Sequence, residues 1–316
     1  MILGENKYIY IYGYREKERD LCKMEMRSFF NVDTDFNYLM SHIAIEPSRS
    51  PFIQNRLEIL YEGTNLDTIK QFAKGIALDP NQTYKVVSLN TLDFNTTKKI
   101  PHLKRREVER DIALIIDGEP DLKNPHIEFG VVLIEETWYF GIIKKGEAVW
   151  LKHQTKPNNY STALSTKMAR AIVNIAIPFP HSIRAIDPCC GIGTVVIEAL
   201  SMGIQMEGRD INHFVCKGSR ENIAYFGLEG KITLGPIRDI TEHYDVAIID
   251  LPYNLFTHAS ERDQFDILQC ARSIADTVLV VTVETIDHLI KEAGFKIIDR
   301  CVAPKQNFSR QVLLCH

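Results

Sequence analysis

The sequence predicts an α/β protein whose C-terminal half is a mostly parallel, seven-stranded sheet ending in an antiparallel hairpin. Three observations predict this. From residue 182 onward, short apolar runs alternate with segments of helical period. The last two apolar runs follow one another without a helix between them. The N-terminal half mixes strand and helix patterns without that alternation, which is typical of an α+β region.

Each element of the C-terminal half has its own local signal. Strands that alternate with helices pair in parallel, because the chain must cross over the sheet between them. The β-branched run 276–283 is typical of a strand buried on both faces. Strands are predicted over 182–187, 205–211, 231–234, 245–250, 276–283, 296–301 and 311–315, and helices over 194–201, 214–226, 262–275 and 285–293.

The final hairpin is predicted from residues 302–310, which contain Pro304 and Asn307 but no helical period. A Rossmann-like sheet with this ending is typical of methyltransferases and differs from the dehydrogenase version. In the N-terminal half, strands are predicted over 7–14, 84–89, 127–135 and 138–144, and helices over 15–30, 66–77 and 104–117.

Composition limits the class of protein. The 316 residues are 45% hydrophobic and 25% charged, enough for two or three domains. No run approaches the roughly 20 apolar residues of a membrane span, and the first residues lack a signal-peptide core, so a cytoplasmic location is expected. Seven cysteines, none in a Cys-x-x-Cys pair, indicate reduced thiols and no metal site.

Charge is unevenly distributed along the chain. Residues 1–180 hold 24 basic and 23 acidic side chains, whereas residues 181–316 hold 13 and 18. Residues 144–170 carry six basic side chains and one acidic one. A phosphate-binding surface is therefore expected in the N-terminal half or the connector, with Lys152 and Lys156 as candidates.

The most informative segment is residues 187–194, called here the glycine loop. An acid ends a strand, small residues turn the chain, and a helix begins near Thr194. The glycines let the backbone approach a ligand closely, and the helix start presents free N–H groups to an anion. A dinucleotide site is disfavoured because the third glycine of that fingerprint is missing. The cofactor-binding candidates here are Asp187, Pro188, Cys189, Cys190, Gly191, Gly193 and Thr194.

Two later strand ends add candidates. Asp210 and Ile211 follow the second strand, where an acid would hydrogen-bond ribose hydroxyls. Asp239 and Ile240 follow the third strand, where an acid or amide commonly meets an adenine amino group. For both acids, a solvated loop carboxylate is the alternative interpretation.

The fourth strand ends in Asp250-Leu251-Pro252-Tyr253, called here the amine motif. An exocyclic amine on a base is a poor nucleophile, and two acceptors on its hydrogens orient it for attack. Asp250 supplies one acceptor, and the carbonyl of Pro252 or Leu251 supplies the other. Tyr253 offers a face on which an extruded base stacks. A structural Pro turn is the alternative.

Two other patterns are ambiguous. Cys189 and Cys190 lie in a turn that accepts small residues, so a catalytic thiol is disfavoured. The basic run that includes Lys99, Lys104, Arg105 and Arg106 interleaves with acids, so a salt-bridged helix face and an RNA-binding surface are equally supported.

These motifs resemble the THUMP-containing tRNA guanine-N2 methyltransferases. The resemblance is strongest over residues 160–174, the glycine loop and the amine motif, moderate over 107–146 and weak before residue 84. The resemblance implies a ferredoxin-like segment over 1–70, a THUMP-like RNA-binding domain over 71–155, a linker and helix over 156–178 and a Rossmann-like catalytic domain over 179–316.

The resemblance also implies S-adenosylmethionine as cofactor, with its methionine near the glycine loop, ribose on Asp210 and adenine near Asp239. It implies tRNA as partner and a guanosine flipped onto Asp250 and Tyr253. Leu251 replaces the first of the two prolines usual in the family, which leaves an adenine N6 methyltransferase and a non-catalytic binding module as alternatives. The oligomeric state is left open, with a monomer favoured.

Overall fold

The computed structural model describes residues 6–90, 101–160, 163–252, 260–305 and 308–316. The chain divides into two compact units. The N-terminal unit comprises residues 1–13, 32–48 and 52–147, and the C-terminal unit comprises 14–31, 49–51 and 148–316. Within the described ranges, no helix is long and apolar enough to cross a membrane.

The described segments form eight α-helices and fourteen strands. The helices are α1 Arg19–Phe30, α2 Leu66–Lys74, α3 His102–Ala113, α4 Thr166–Ala176, α5 Thr194–Ser201, α6 His213–Tyr225, α7 Glu261–Ile274 and α8 Asp287–Glu292. The strands are β1 Tyr8–Tyr12, β2 Tyr38–Ser41, β3 Ile53–Gly63, β4 Thr83–Ser88, β5 Glu119–Pro120, β6 Ile127–Ile134, β7 Thr137–Lys145, β8 Arg184–Asp187, β9 Gln205–Asp210, β10 Ile232–Leu234, β11 Tyr244–Asp250, β12 Ala275–Thr282, β13 Ile297–Lys305 and β14 Phe308–Cys315.

The C-terminal unit contains the predicted seven-stranded sheet, in the order β10-β9-β8-β11-β12-β14-β13. The first five strands in this order, β10, β9, β8, β11 and β12, pair in parallel. β14 pairs antiparallel with both β12 and β13, so the predicted fold class is confirmed. Strand order reverses between β8 and β11. Ligands of open α/β sheets bind at the carboxyl ends of strands beside such a reversal.

The closing hairpin is longer than the sequence predicted. β13 and β14 pair from Ile297 to Lys305, where Lys305 faces Phe308, so most of the predicted loop lies inside the ladder. Pro304 is tolerated because β13 is the edge strand of the sheet, where one side of the backbone needs no partner. The strand extension is set by pairing with β14 and has no periodic signal of its own.

Apolar side chains of β11 and β12 form the centre of this unit. Val278, Leu279, Val280 and Val281 are all fully buried, as expected for a strand covered on both faces. Val278 and Val280 pack with side chains of α7, α8 and the hairpin in one cluster. This core holds the ends of β8 and β11 in fixed positions.

The N-terminal unit is built on one mixed sheet, in the order β2-β1-β3-β7-β6-β4-β5. β3 lies between β1 and β7, although it has no clear alternation of apolar and polar residues. Its register also shifts between Ile59 and Tyr61. β2, β3 and β5 were not predicted from the sequence, because these strands form through pairing with their neighbours and lack a local pattern of their own.

The observed division differs from the predicted boundaries at 70, 155 and 178. One sheet joins β1 and β3 to β6 and β7, so residues 1–70 do not form a separate sheet. Helix α1 belongs to the C-terminal unit, where Arg27 forms an ion pair with Asp299 at 2.8 Å. The polar segment 152–160, predicted to be a linker, also belongs to the C-terminal unit, and its contacts are described below.

Candidate active site

The glycine loop turns sharply between β8 and α5. The N–H of Cys190 donates to the carbonyl of Arg209 (2.9 Å), which ties the loop to the neighbouring strand β9. Gly191 and Gly193 have φ of 52° and 79°, a left-handed backbone that other residues adopt at a cost. A Cβ on Gly193 would lie 2.3 Å from Ser219 Oγ, so only glycine fits there without a shift.

Asp210 ends β9 beside the loop. Its Oδ2 accepts the N–H of Gly191 and its Oδ1 accepts the N–H of Asn212, both at 2.9 Å. Two backbone donors hold the carboxylate at the carboxyl edge of the sheet, and each oxygen keeps a further lone pair for a ligand hydroxyl.

Asp187 is the last residue of β8 and the first residue of the glycine loop. It is buried and accepts the N–H of Cys189 at 3.2 Å. Burial raises the pKa of this carboxyl well above its usual range, and the nearby carboxylates of Asp250 and Asp210 raise it further. The same burial raises the pKa of the Cys189 and Cys190 thiols, so both stay protonated and unreactive at neutral pH, as the sequence indicated.

The amine motif begins where β11 ends. Asp250 pairs with Val281 of β12, and the N–H of Leu251 donates to the Val281 carbonyl at 2.9 Å. A proline at position 251 has no N–H and would lose this bond. The Leu251 side chain is buried in the core, so this departure from the family pattern extends the strand ladder by one hydrogen bond.

The glycine loop and residues 250–252 of the amine motif open onto one cavity of about 810 Å³ in the C-terminal unit. That volume is typical of a site for a cofactor-sized ligand. The lining includes these predicted residues: Asp187, Pro188, Cys189, Cys190, Gly191, Thr194, Asp210, Ile211, Asp250 and Pro252.

Three predicted residues do not line the cavity. Gly193 packs against α6, Asp239 is exposed beside Arg238, and Ile240 is buried in the core. The cavity is lined two or three residues earlier, by Pro236, Ile237 and Arg238. Asp239 and Ile240 therefore do not line this cavity, and their assignment to the cofactor stays a prediction. Tyr253 and Lys99 lie outside the described residues.

The reason for this offset is the shortness of β10. The strand ends at Leu234, and Gly235, with φ of 142°, turns the chain at once and donates its N–H to the Asp210 carbonyl. The turn brings residues 236–238 to the cavity. A glycine directly after a short strand was the signal that sequence reasoning overlooked.

Sequence reasoning also missed lining residues that are distant in the chain. Tyr160 and Leu164 precede α4, and several side chains come from α7. Among them are two further carboxylates, Asp263 and Asp266. Helical period identifies the apolar face of α7 but does not show which end of the helix meets the cavity.

The basic residues of the 144–170 stretch are mostly committed to partners within their own unit. Lys144 and Lys145 pair with Glu46 and Glu128. Lys156 is buried, and its Nζ donates to Thr194 Oγ1 at 2.7 Å. A phosphate-binding role for Lys156 is therefore not supported, whereas Lys152 is exposed.

The basic residues of α3 present a different picture. Lys104 and Arg106 are exposed, and Arg105 is half-buried. Two acids that interleave with them have other partners, because Glu109 accepts the N–H of Ser88 and Asp111 pairs with Lys70. Glu107 is exposed on the same helix, and Arg110 lies 3.9 Å from Asp111, so the RNA-binding and the salt-bridged interpretations of this face both stay open.

No group of three or more His, Cys, Asp or Glu side chains among the described residues is arranged to hold a metal ion. The lining of the cavity combines backbone turns, apolar walls and carboxylates, which suits an organic ligand.

Comparisons with known proteins agree with this geometry. Residues 153–264 match the family model described as UPF0020, the RMKL-like methyltransferase domain. The tRNA (guanine(10)-N2)-dimethyltransferase of Methanothermobacter thermautotrophicus is 30% identical over 161 residues, which are 48% of this chain and 48% of that protein. The Methanocaldococcus jannaschii protein of the same name is 26% identical over 211 residues, 61% of this chain and 60% of that protein.

The aligned part therefore spans between about half and three fifths of the length of these relatives. Among solved structures, TrmN from Thermus thermophilus superposes with a TM-score of 0.51 at 16% identity, covering 98% of this chain and 99% of that one. That likeness shows the fold: a methyltransferase-type α/β sheet with an N-terminal α+β region.

Proposed function

We propose that this chain transfers a methyl group from S-adenosylmethionine to an exocyclic amine of RNA, namely N2 of a guanosine in tRNA. One observation carries the proposal: the glycine loop and Asp250 open onto the same cavity. The names of the two relatives given above supply the choice of guanine N2 and tRNA.

The residues of the cavity fit the cofactor. A Cβ on Gly191 would meet nothing within 4 Å, so the turn leaves open space for a ligand against the backbone. Asp210 stands where ribose hydroxyls would bind, and Ile211 and Ile237 offer apolar walls for a purine. Besides the buried Asp187, four aspartates and a single arginine are among the described lining residues, which suits a ligand that carries a positive charge.

S-adenosylmethionine supplies a methyl group already activated on a sulfonium sulfur. The contribution of the chain is positioning. Asp250 would accept one hydrogen bond from the target amine and orient the nitrogen lone pair toward the methyl group, and the carbonyl of Leu251 or Pro252 would accept the second. The proton that the methylated amine loses passes to Asp250 or to solvent.

RNA capture is assigned to the N-terminal unit, with Lys104 and Arg106 of α3 as phosphate contacts. Both are exposed, and two acids of the same helix, Glu109 and Asp111, bond to Ser88 and Lys70. Phosphate contacts position an RNA without reading its sequence, and base identity is read in the cavity.

The test incubates the protein with unmodified tRNA and labelled S-adenosylmethionine and identifies the methylated nucleoside after digestion. Wild-type protein should yield N2-methylguanosine. Asp250→Ala should lower incorporation by about 100-fold or more, because the amine loses its acceptor, while cofactor affinity stays within about two-fold.

Asp276→Ala is the matched control, since this exposed acid lies near the start of β12 and outside the cavity, and its loss should leave incorporation unchanged. Label in N6-methyladenosine would reassign the base. Cofactor binding without label in any RNA would contradict the proposal, and absence of cofactor binding in calorimetry would favour a non-catalytic module.

A further inference from the structure

An asparagine on α6 joins the glycine loop to the chain segment that precedes α4. Asn222 is fully buried, and its Nδ2 donates to the carbonyls of Ile192 (3.0 Å) and Asn158 (2.9 Å). Its Oδ1 accepts the N–H of Asn158 at 2.9 Å. One side chain thus satisfies a carbonyl of the loop and both backbone groups of Asn158.

Small residues on α6 make this approach possible. A Cβ on Gly218 would lie 3.2 Å from Asn158 Cβ, and Ser219 fills the space that a Cβ on Gly193 would need. Residues 218, 219 and 222 lie on one helix face, because side chains three and four positions apart are neighbours. This face of α6 therefore fits residue 158 and the glycine loop together.

Residues 153–158, called here the strap, are fixed at two more points on α5. Lys156 Nζ donates to Thr194 Oγ1, and His153 Nδ1 lies 2.7 Å from Glu198 Oε1. Thr194 and Glu198 are one helical turn apart, so the strap follows the helix from its first residue. All of these contacts lie within the C-terminal unit.

We propose that Asn222 is a positioning residue that sets the shape of the glycine loop before cofactor binds, with the strap as its anchor. The carbonyl it holds belongs to Ile192, which stands between the two left-handed glycines. A loop held in its binding shape spares the ligand the cost of ordering it. The identity of that ligand rests on the proposed function; the ordering of the loop does not.

The test compares Asn222→Ala with Asn174→Ala in the full chain. Asn174 is the matched control: it is equally buried in the same unit, and its Nδ2 also donates two bonds, to Glu25 Oε1 and the Arg49 carbonyl, away from the loop. Amide hydrogen exchange of the ligand-free protein is measured at Gly191 and Gly193, whose N–H groups bond to Asp210 and Cys190.

Asn222→Ala should make hydrogen exchange at these two amides about 10-fold faster than Asn174→Ala does. It should also lower the affinity for S-adenosylmethionine about 10-fold, whereas Asn174→Ala should leave that affinity unchanged. If the alanine variant does not fold, Asn222→Leu keeps most of the volume and loses the donors without burying a charge. Equal loop exchange in the Asn222 and Asn174 variants overturns the inference. Failure of wild-type protein to bind S-adenosylmethionine overturns the proposed function, while the exchange comparison still decides the role of Asn222.

Discussion

At the scale of single residues, the site depends on backbone conformations that few side chains tolerate. Gly193 is the N-cap residue of α5 and has φ of 79°. It also lies against Ser219, so both its own backbone conformation and a neighbouring side chain restrict the residue at this position. Gly203 has nearly the same φ, 74°, but a Cβ there would meet nothing within 4 Å. Comparing alanine substitutions at these two glycines therefore distinguishes the free-energy cost of the left-handed backbone from that of the contact with Ser219.

Gly193→Ala should lower the free energy of unfolding by more than Gly203→Ala does. Gly203→Ala should cost about 1 kcal/mol for the left-handed backbone, and Gly193→Ala a further 1–3 kcal/mol, approximately, for overpacking against Ser219. Denaturant unfolding measures both. Adding Ser219→Ala removes the closest atom and should bring Gly193→Ala back toward the Gly203 value; no recovery would show that the contact is not the cause.

At the scale of elements, helix α1 shows how a segment of the N-terminal half becomes part of the C-terminal unit. Glu25 of α1 is fully buried and bonds to Ser50 (2.5 Å) and to Asn174 of α4 (2.7 Å). Burial raises the pKa of Glu25 to about 7, opposed by these bonds and by Arg49 and Arg170. The hydrogen bonds of this buried acid therefore tie α1 to other segments of the C-terminal unit.

The raised pKa of Glu25 predicts a pH dependence of stability. Because the folded pKa lies above the unfolded one, the folded state binds more protons between about pH 4.5 and 7, and the contribution of this group to stability is lost as pH rises through that window. Glu25→Gln, which can still accept from Asn174 and can donate to the Ser50 hydroxyl, should flatten the fall by on the order of 2–3 kcal/mol. Unfolding measured from pH 4.5 to 8 checks this; an unchanged slope would contradict it.

At the scale of the whole molecule, the proposed division of labour puts chemistry in the C-terminal unit and RNA binding in the N-terminal one. The C-terminal cavity is rich in carboxylates and therefore repels phosphate, so backbone contacts with RNA belong elsewhere. Helix α3, with Lys104 and Arg106 exposed, is the proposed place.

Replacing both Lys104 and Arg106 by alanine should weaken tRNA binding at low salt, because two phosphate contacts are lost. The dependence of log affinity on log salt should become shallower by about one for each contact. Lys123→Ala is the control: it removes an exposed charge of the same unit outside α3, and should change neither the affinity for tRNA nor the slope of its salt dependence. Filter binding or anisotropy over a salt series measures the slope, and an unchanged slope would remove α3 from the RNA surface.

Sequence alone determined the C-terminal fold and the part of the cavity lining that the glycine loop and the ends of β9 and β11 supply. Strand ends were readable because an acid closes each of β8, β9 and β11, and helices begin and end near their predicted residues. Periodicity and turn chemistry are local properties, and parallel pairing follows from the alternation of strand and helix. The glycine loop, Asp210 and Asp250 were found in this way.

Tertiary structure alone decided the partners of residues distant in sequence. It placed Pro236 to Arg238 at the cavity instead of Asp239, buried Lys156 against Thr194, and assigned α1 to the C-terminal unit. The physical reason is that burial and pairing belong to the assembled chain: a lysine in a polar segment has the same local pattern whether it faces solvent or a helix start. In the C-terminal unit, local pattern specifies which element forms, whereas packing specifies which side chain meets the ligand.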